Sequence, residues 1–232
     1  MINKTLCILV FLISANFFAQ DVDNNFWTEL LKKHVSSDGN VDYKGFKSDS
    51  KSLDIYLDYL VKNKPYTNKS TKKEQLAYWI NTYNAFTVKL IIDNYPIKSI
   101  KDINNPWDKK FITIDNISLS LNDIEHEILR KMNEPRIHFV INCASVSCPK
   151  LLNVAFFAHT LENQLHSATI NFINEKNTLS RDRVELSKIF KWFREDFERN
   201  GSLIDFLNDY SEVNIDSKAK IIFKDYNWAL ND

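Results

Sequence analysis

The sequence predicts a helix-rich α+β single domain in which a long buried central helix packs on a small, mainly antiparallel sheet. Three observations predict it. Residues 71–94 carry apolar side chains nearly all round the helical period, as a helix enclosed by its own domain requires. Short β-prone runs flank turn signals at Asp115-Asn116 and at 180–183, which reads as two hairpins. Amphipathic helical periods fill most of the rest, and three glycines in 232 residues leave little room for flexible joints.

In chain order, residues 1–19 hold one early positive charge, Lys4, and an apolar run from Leu6 to Phe18 that gives way to polar residues at Gln20. This is the pattern of a secretory signal peptide cut after Ala19, and the run falls short of the ~20 apolar residues a membrane span needs. The expected product, residues 20–232, is periplasmic or secreted, with no stable membrane insertion once the leader is removed. The whole chain balances 30 basic against 30 acidic residues, so the product without Lys4 is left with a net charge of about minus one. The lysines are scattered among acids on helix faces, which argues against nucleic acid as a partner.

Residues 25–35 and 53–63 read as short packing helices separated by the turn Asp38-Gly39-Asn40. The long helix at 71–94, stopped by Pro96, carries two polar exceptions, Asn81 and Asn84, three apart and hence neighbours. Buried amides need partners. Two readings are open: the pair holds the backbone of a nearby loop, or one of them orients a histidine or donates to an oxyanion. The hairpin at 109–119 leads into a helix capped by Ser120, whose apolar face is Leu121, Ile124, Ile128 and Met132. At ~100° per residue Glu125 falls in the middle of that face and His126 at its rim. A carboxylate aimed at the core must meet Arg136, a histidine or backbone donors, because burying it unpaired is expensive.

Residues 137–141, apolar on both parities, read as a central strand covered on both faces, with His138 the exception within it. The loop after it holds Cys143, Ser145 and Cys148, where scaffolds place working groups. Three chemistries are open to the cysteines. They form a disulfide across the four intervening residues. Or Cys143 is a nucleophile, with His138 as base, Glu125 fixing the imidazole and Asn81 or Asn84 as supporting donors, an assembly suited to acyl transfer at an amide or thioester. Or Cys143, Cys148, His138 and Glu125 hold a metal, a reading weakened by the absence of a second well-spaced pair.

Further on, 158–176 reads as an amphipathic helix with His159 and His166 on its rim, 179–186 as a hairpin, and Ser187 as the cap of a helix whose Phe190, Trp192, Phe193 and Phe197 supply core bulk. Asp196, beside Glu195, is an acid among those aromatics worth noting. Residues 202–210 read as helix and 221–226 as a last strand, before a terminal motif expected to dock back onto the domain.

The segment RIHFVINCASVSCPKL at 136–151 resembles the signature of the family called domain of unknown function 547. So do AYWINTYNAF at 77–86, SLNDIEHEILR at 120–130 and YNWALN at 226–231. The resemblance covers most of residues 40–232 and implies no activity. A long buried helix against a sheet bearing a histidine is also similar in organisation to papain-like and transglutaminase-like thiol enzymes, except that their nucleophile starts the central helix. The function expected is that of a cysteine-dependent hydrolase or acyl transferase, or else of a non-catalytic module binding a small molecule or peptide, stapled by a Cys143–Cys148 disulfide. No phosphate-binding glycine loop, strong metal motif or redox C-x-x-C is present, so no metal or cofactor is expected.

Overall fold

The computed structural model describes residues 24–232, and the expected leader at 1–19 lies outside the described residues. Helices α1 (24–34), α2 (Tyr43–Ser48) and α3 (Ser50–Lys62) form a layer against α4 (Lys72–Asn94). Trp27 of α1 stacks on Tyr56 of α3 with ring centroids 5.0 Å apart, tying the layer together. Thr71 opens α4 with a capping box to Glu74, two reciprocal bonds that satisfy donors the helix leaves free. From Leu76 to Val88 every residue of α4 is buried, so this is the enclosed central helix that the sequence predicts.

Strands β1 (Ile112–Ile114) and β2 (Ile117–Leu119) pair antiparallel. Asp115 and Asn116 turn between them at φ 52° and 61°, left-handed values that suit the right-handed twist of a two-residue hairpin. Ser120 then caps a helix whose middle, Asp123–Leu129, widens to π geometry. After α5 (Leu161–Lys176), strands β3 (Thr178–Leu179) and β4 (Arg183–Leu186) pair antiparallel. Short helices α6 (Ile189–Trp192), α7 (Arg194–Phe197) and α8 (Leu203–Asn208) precede β5 (Lys220–Phe223), which pairs parallel to β4. Among the described residues no helix is long and apolar enough to cross a membrane.

The helix-rich α+β class holds, while three expected details do not. The single sheet is two separate pieces, β1-β2 and β3-β4-β5. Residues 137–141 are not its central strand; they belong to a 3₁₀ turn, Pro135–Phe139, and the residues just after it. The predicted helix spanning IFKWFREDF breaks into α6 and α7.

The reason for the missing strand is burial on all sides. Ile137 and Val140 pack into the core around α4, whereas Phe139 packs into a second core with Phe172, Phe190 and Phe197. An apolar run wedged between two cores looks in sequence like a strand between two layers. Its backbone bonds within the turn, Val140 and Ile141 N–H donating to Ile137 O, and Val140 O accepts from the Asn84 side chain, rather than joining a ladder. Because His138 stands on this turn and not on a sheet, the likeness to thiol enzymes loses its structural basis.

The C-terminal segment docks back as expected. Val146 N–H donates to Ala229 O at 2.9 Å, Leu230 N–H to Lys98 O at 3.0 Å, and Val41 N–H to Asn231 O at 2.7 Å. The end of the chain therefore bolts the cysteine loop to the first half of the domain.

Candidate active site

Asn84 makes the loop that the site stands on. Its amide donates to Val140 O at 2.9 Å and its carbonyl accepts from Asn142 N–H at 2.8 Å, as a neighbouring strand would. Asn81 does the same for Phe156, at 2.8 and 2.9 Å. Both amides hold loop backbone and neither meets a histidine. Asn142 continues the staple, donating to Pro149 O at 2.7 Å and accepting from Ala144 N–H at 2.8 Å. Ala144, fully buried, is thereby held at φ 57°, a left-handed conformation that a residue bearing Cβ adopts only when its surroundings enforce it.

The loop carries Cys143 and Cys148, joined in a disulfide. Cys148 is buried and Cys143 partly exposed. Ser145 Oγ lies 3.4 Å from Cys143 Sγ, and the Tyr226 hydroxyl lies 3.3 Å from both. Burial pushes the Tyr226 phenol up to about 12, so it stays protonated at neutral pH.

His138 sits behind them with two unlike neighbours. Its Nε2 is 2.8 Å from Asp196 Oδ2, and its buried Nδ1 has no hydrogen-bond partner but lies 3.8 Å from Glu125 Oε1. Asp196 also accepts from Arg130 at 2.6 Å and from Arg199 at 2.8 Å. Burial opposes its charge, yet the bonds from His138, Arg130 and Arg199 prevail and hold its carboxyl well below the usual range. An ionised carboxylate only accepts, so the His138 proton resides on Nε2 and the Nδ1 lone pair faces Glu125. Burial lowers the His138 pKa against the pull of Asp196, keeping the ring neutral. Phe193 stacks on it with centroids 3.9 Å apart.

Glu125 is the opposite case. Desolvation pushes its carboxyl up to about 7, with only a 3.4 Å bond from the Tyr83 hydroxyl and the charge of Arg130 pulling the other way. The π-widened turn aims it into the core as the apolar face predicts, and it meets a histidine rather than Arg136. Arg136 is spent elsewhere, on Glu134 and Glu162 at 2.7 and 2.5 Å. His126, at the rim, accepts from Arg130 at 2.9 Å and is lowered by burial and by that guanidinium.

Glu125, His126, His138, Cys143 and Cys148 line one cleft of about 180 Å³, walled by Tyr83, Trp107, Trp192, Phe193, Tyr226 and Trp228. Trp192 and Trp228 lie 5.8 Å apart and nearly parallel, and Tyr226 packs on Trp228 at 4.5 Å. Among the described residues no cluster of three or more His, Cys, Asp or Glu is placed to hold a metal ion.

Reading the sequence residue by residue leaves Asp196 and Tyr226 out of the candidate set. Asp196 was visible as one of two acids, with Glu195, inside an aromatic segment, and Tyr226 as the first residue of the terminal motif. What hid their roles is distance along the chain, 58 and 83 residues from their partners.

Fold and cleft together define a helix-rich α+β domain with a buried histidine–carboxylate network beside a cysteine pair. Residues 67–173 match the family model described as Protein of unknown function, DUF547. No curated protein and no solved structure matches the chain. Trp192, Phe193, Tyr226 and Trp228, which complete the cleft, follow the matched segment, as does Asp196, which bonds His138 from behind it.

Proposed function

We propose that the protein is an exported hydrolase or acyl transferase acting on an amide or thioester, with Cys143 as nucleophile in its reduced form. The observation that carries this reading is the pairing of Glu125 with His138. A carboxyl near pH 7 and a neutral imidazole with a free lone pair, 3.8 Å apart on a cleft wall shared with Cys143, form a proton-transfer pair tuned to neutral pH. The roles differ from those expected: Asp196 orients the imidazole, which frees Glu125 to carry a proton. Tyr226 and Ser145 supply hydroxyls to the sulfur or to an oxyanion beside it. The aromatic walls exclude water and hold the substrate.

The test is the pH profile of iodoacetamide alkylation at Cys143 in the reduced, folded protein, alongside turnover of chromogenic amides and thioesters. The thiol is expected to titrate at least one unit below the ordinary ~8.5, and His138→Gln to move it upward. An ordinary thiol unaffected by that substitution, with no turnover, overturns the reading.

A second reading, a binding cleft without turnover, is favoured by the disulfide itself, which occupies both sulfurs. It predicts ligand-dependent quenching of Trp192 and Trp228 fluorescence that is indifferent to reduction.

A further inference from the structure

A disulfide that only staples a loop gains nothing from facing a cleft, yet both cysteines of the Cys143–Cys148 bond line this one. Attack by a thiolate on a disulfide selects the accessible sulfur and is faster when the expelled thiolate is stabilised. The two sulfurs are unequal on both counts. Cys143 is partly exposed, while Cys148 is 4% exposed. The backbone N–H of Cys143 donates to Cys148 Sγ at 2.8 Å, so a thiolate leaving on Cys148 already has its donor. Cys143 Sγ has a different one, the Tyr226 hydroxyl at 3.3 Å, fixed by the docked terminal segment through Ser147 N–H to Asn227 O at 3.2 Å.

We infer that Cys143–Cys148 is a thiol–disulfide exchange site that admits a small dithiol through the aromatic cleft and is attacked at Cys143. One thiolate of the dithiol bonds to Cys143 Sγ, the Cys143–Cys148 bond breaks, and its electron pair leaves on Cys148 Sγ, which takes up a proton. The second thiolate of the dithiol then attacks its own partner sulfur. That closes a disulfide within the reductant and expels Cys143 as a thiolate beside Tyr226. Two electrons pass from dithiol to protein, and of the two protons lost by the dithiol one stays on Cys148 and one goes to solvent. The consequence, that exchange switches on the Cys143 nucleophile, rests on the acyl-transfer reading; the exchange itself does not.

The test uses the folded full chain. Dithiothreitol is expected to reduce the bond at a rate independent of low urea concentrations. A short pulse of reduced glutathione, quenched in acid and mapped by mass, should place glutathione on Cys143 at least tenfold more often than on Cys148. Reduction that accelerates with urea in step with unfolding, or an even distribution of glutathione, overturns the inference. The Cys148→Ser variant separates the two proposals, since it carries a free Cys143 without any exchange. Turnover by that variant with no exchange in the wild type removes this inference and leaves acyl transfer standing, and exchange without turnover does the reverse.

Discussion

Replacing Glu125 by glutamine isolates the energetic cost of its burial. In the fold its carboxyl is raised from the ordinary 4.5 to about 7, chiefly by desolvation. A group whose folded pKa lies above its unfolded one binds its proton more tightly in the native state. Its contribution is therefore fully present below about pH 4.5 and is lost as pH rises through 7. At 1.36 kcal/mol per unit the whole span is worth about 3 kcal/mol. The glutamine variant keeps the volume and the bond from Tyr83 but has no charge to desolvate. Urea unfolding of both proteins between pH 4 and pH 9 gives the stability difference as a function of pH, with the other titrations largely cancelling. The variant should gain on the wild type as pH rises from 4.5 to 7, by about 3 kcal/mol in all, and the gap should be flat above pH 8. A difference independent of pH would mean that the carboxyl is solvated in the native protein and that its role as a proton carrier near neutrality has no basis.

Asp196→Asn should cost about 3–5 kcal/mol in urea unfolding, because two guanidinium groups and an imidazole lose their shared anion; a cost under about 1 kcal/mol would show that the network is solvated. Asn84→Leu leaves Val140 O and Asn142 N–H without partners and should cost about 2–5 kcal/mol. Its loss should also accelerate amide exchange across 140–144, and unchanged exchange there contradicts the strand-like role of Asn84. Trp192→Ala, at a residue 45% exposed, should change stability by less than about 1 kcal/mol while weakening whatever the cleft binds, and a large loss of stability would make the residue core.

Much of the site was legible one residue at a time. Glu125 on the apolar face of its helix, His138 in an apolar run and two amides in an enclosed helix each broke a local pattern, and a buried polar group needs a partner wherever it sits. The roles were less legible. Glu125 was expected to fix the imidazole, but that place belongs to Asp196. Of the partners open to Glu125, the histidine is the one it meets, while Arg136 binds Glu134 and Glu162. The run at 137–141 has the composition of a strand, and composition does not reveal whether it is enclosed by two sheet layers or by two cores.

The amino-acid sequence by itself determined what lies within a few residues' reach: the long enclosed helix, the hairpin at Asp115-Asn116, the inward carboxylate and the class of fold. These follow from periodicities and from backbone preferences that act locally. Only the tertiary structure decided which groups meet. Asp196 reaches His138 across 58 residues, Tyr226 reaches Cys143 across 83, and Asn84 replaces a strand that no neighbour provides. Such contacts are fixed by how two cores pack against one turn, and no pattern within a single stretch of chain encodes that.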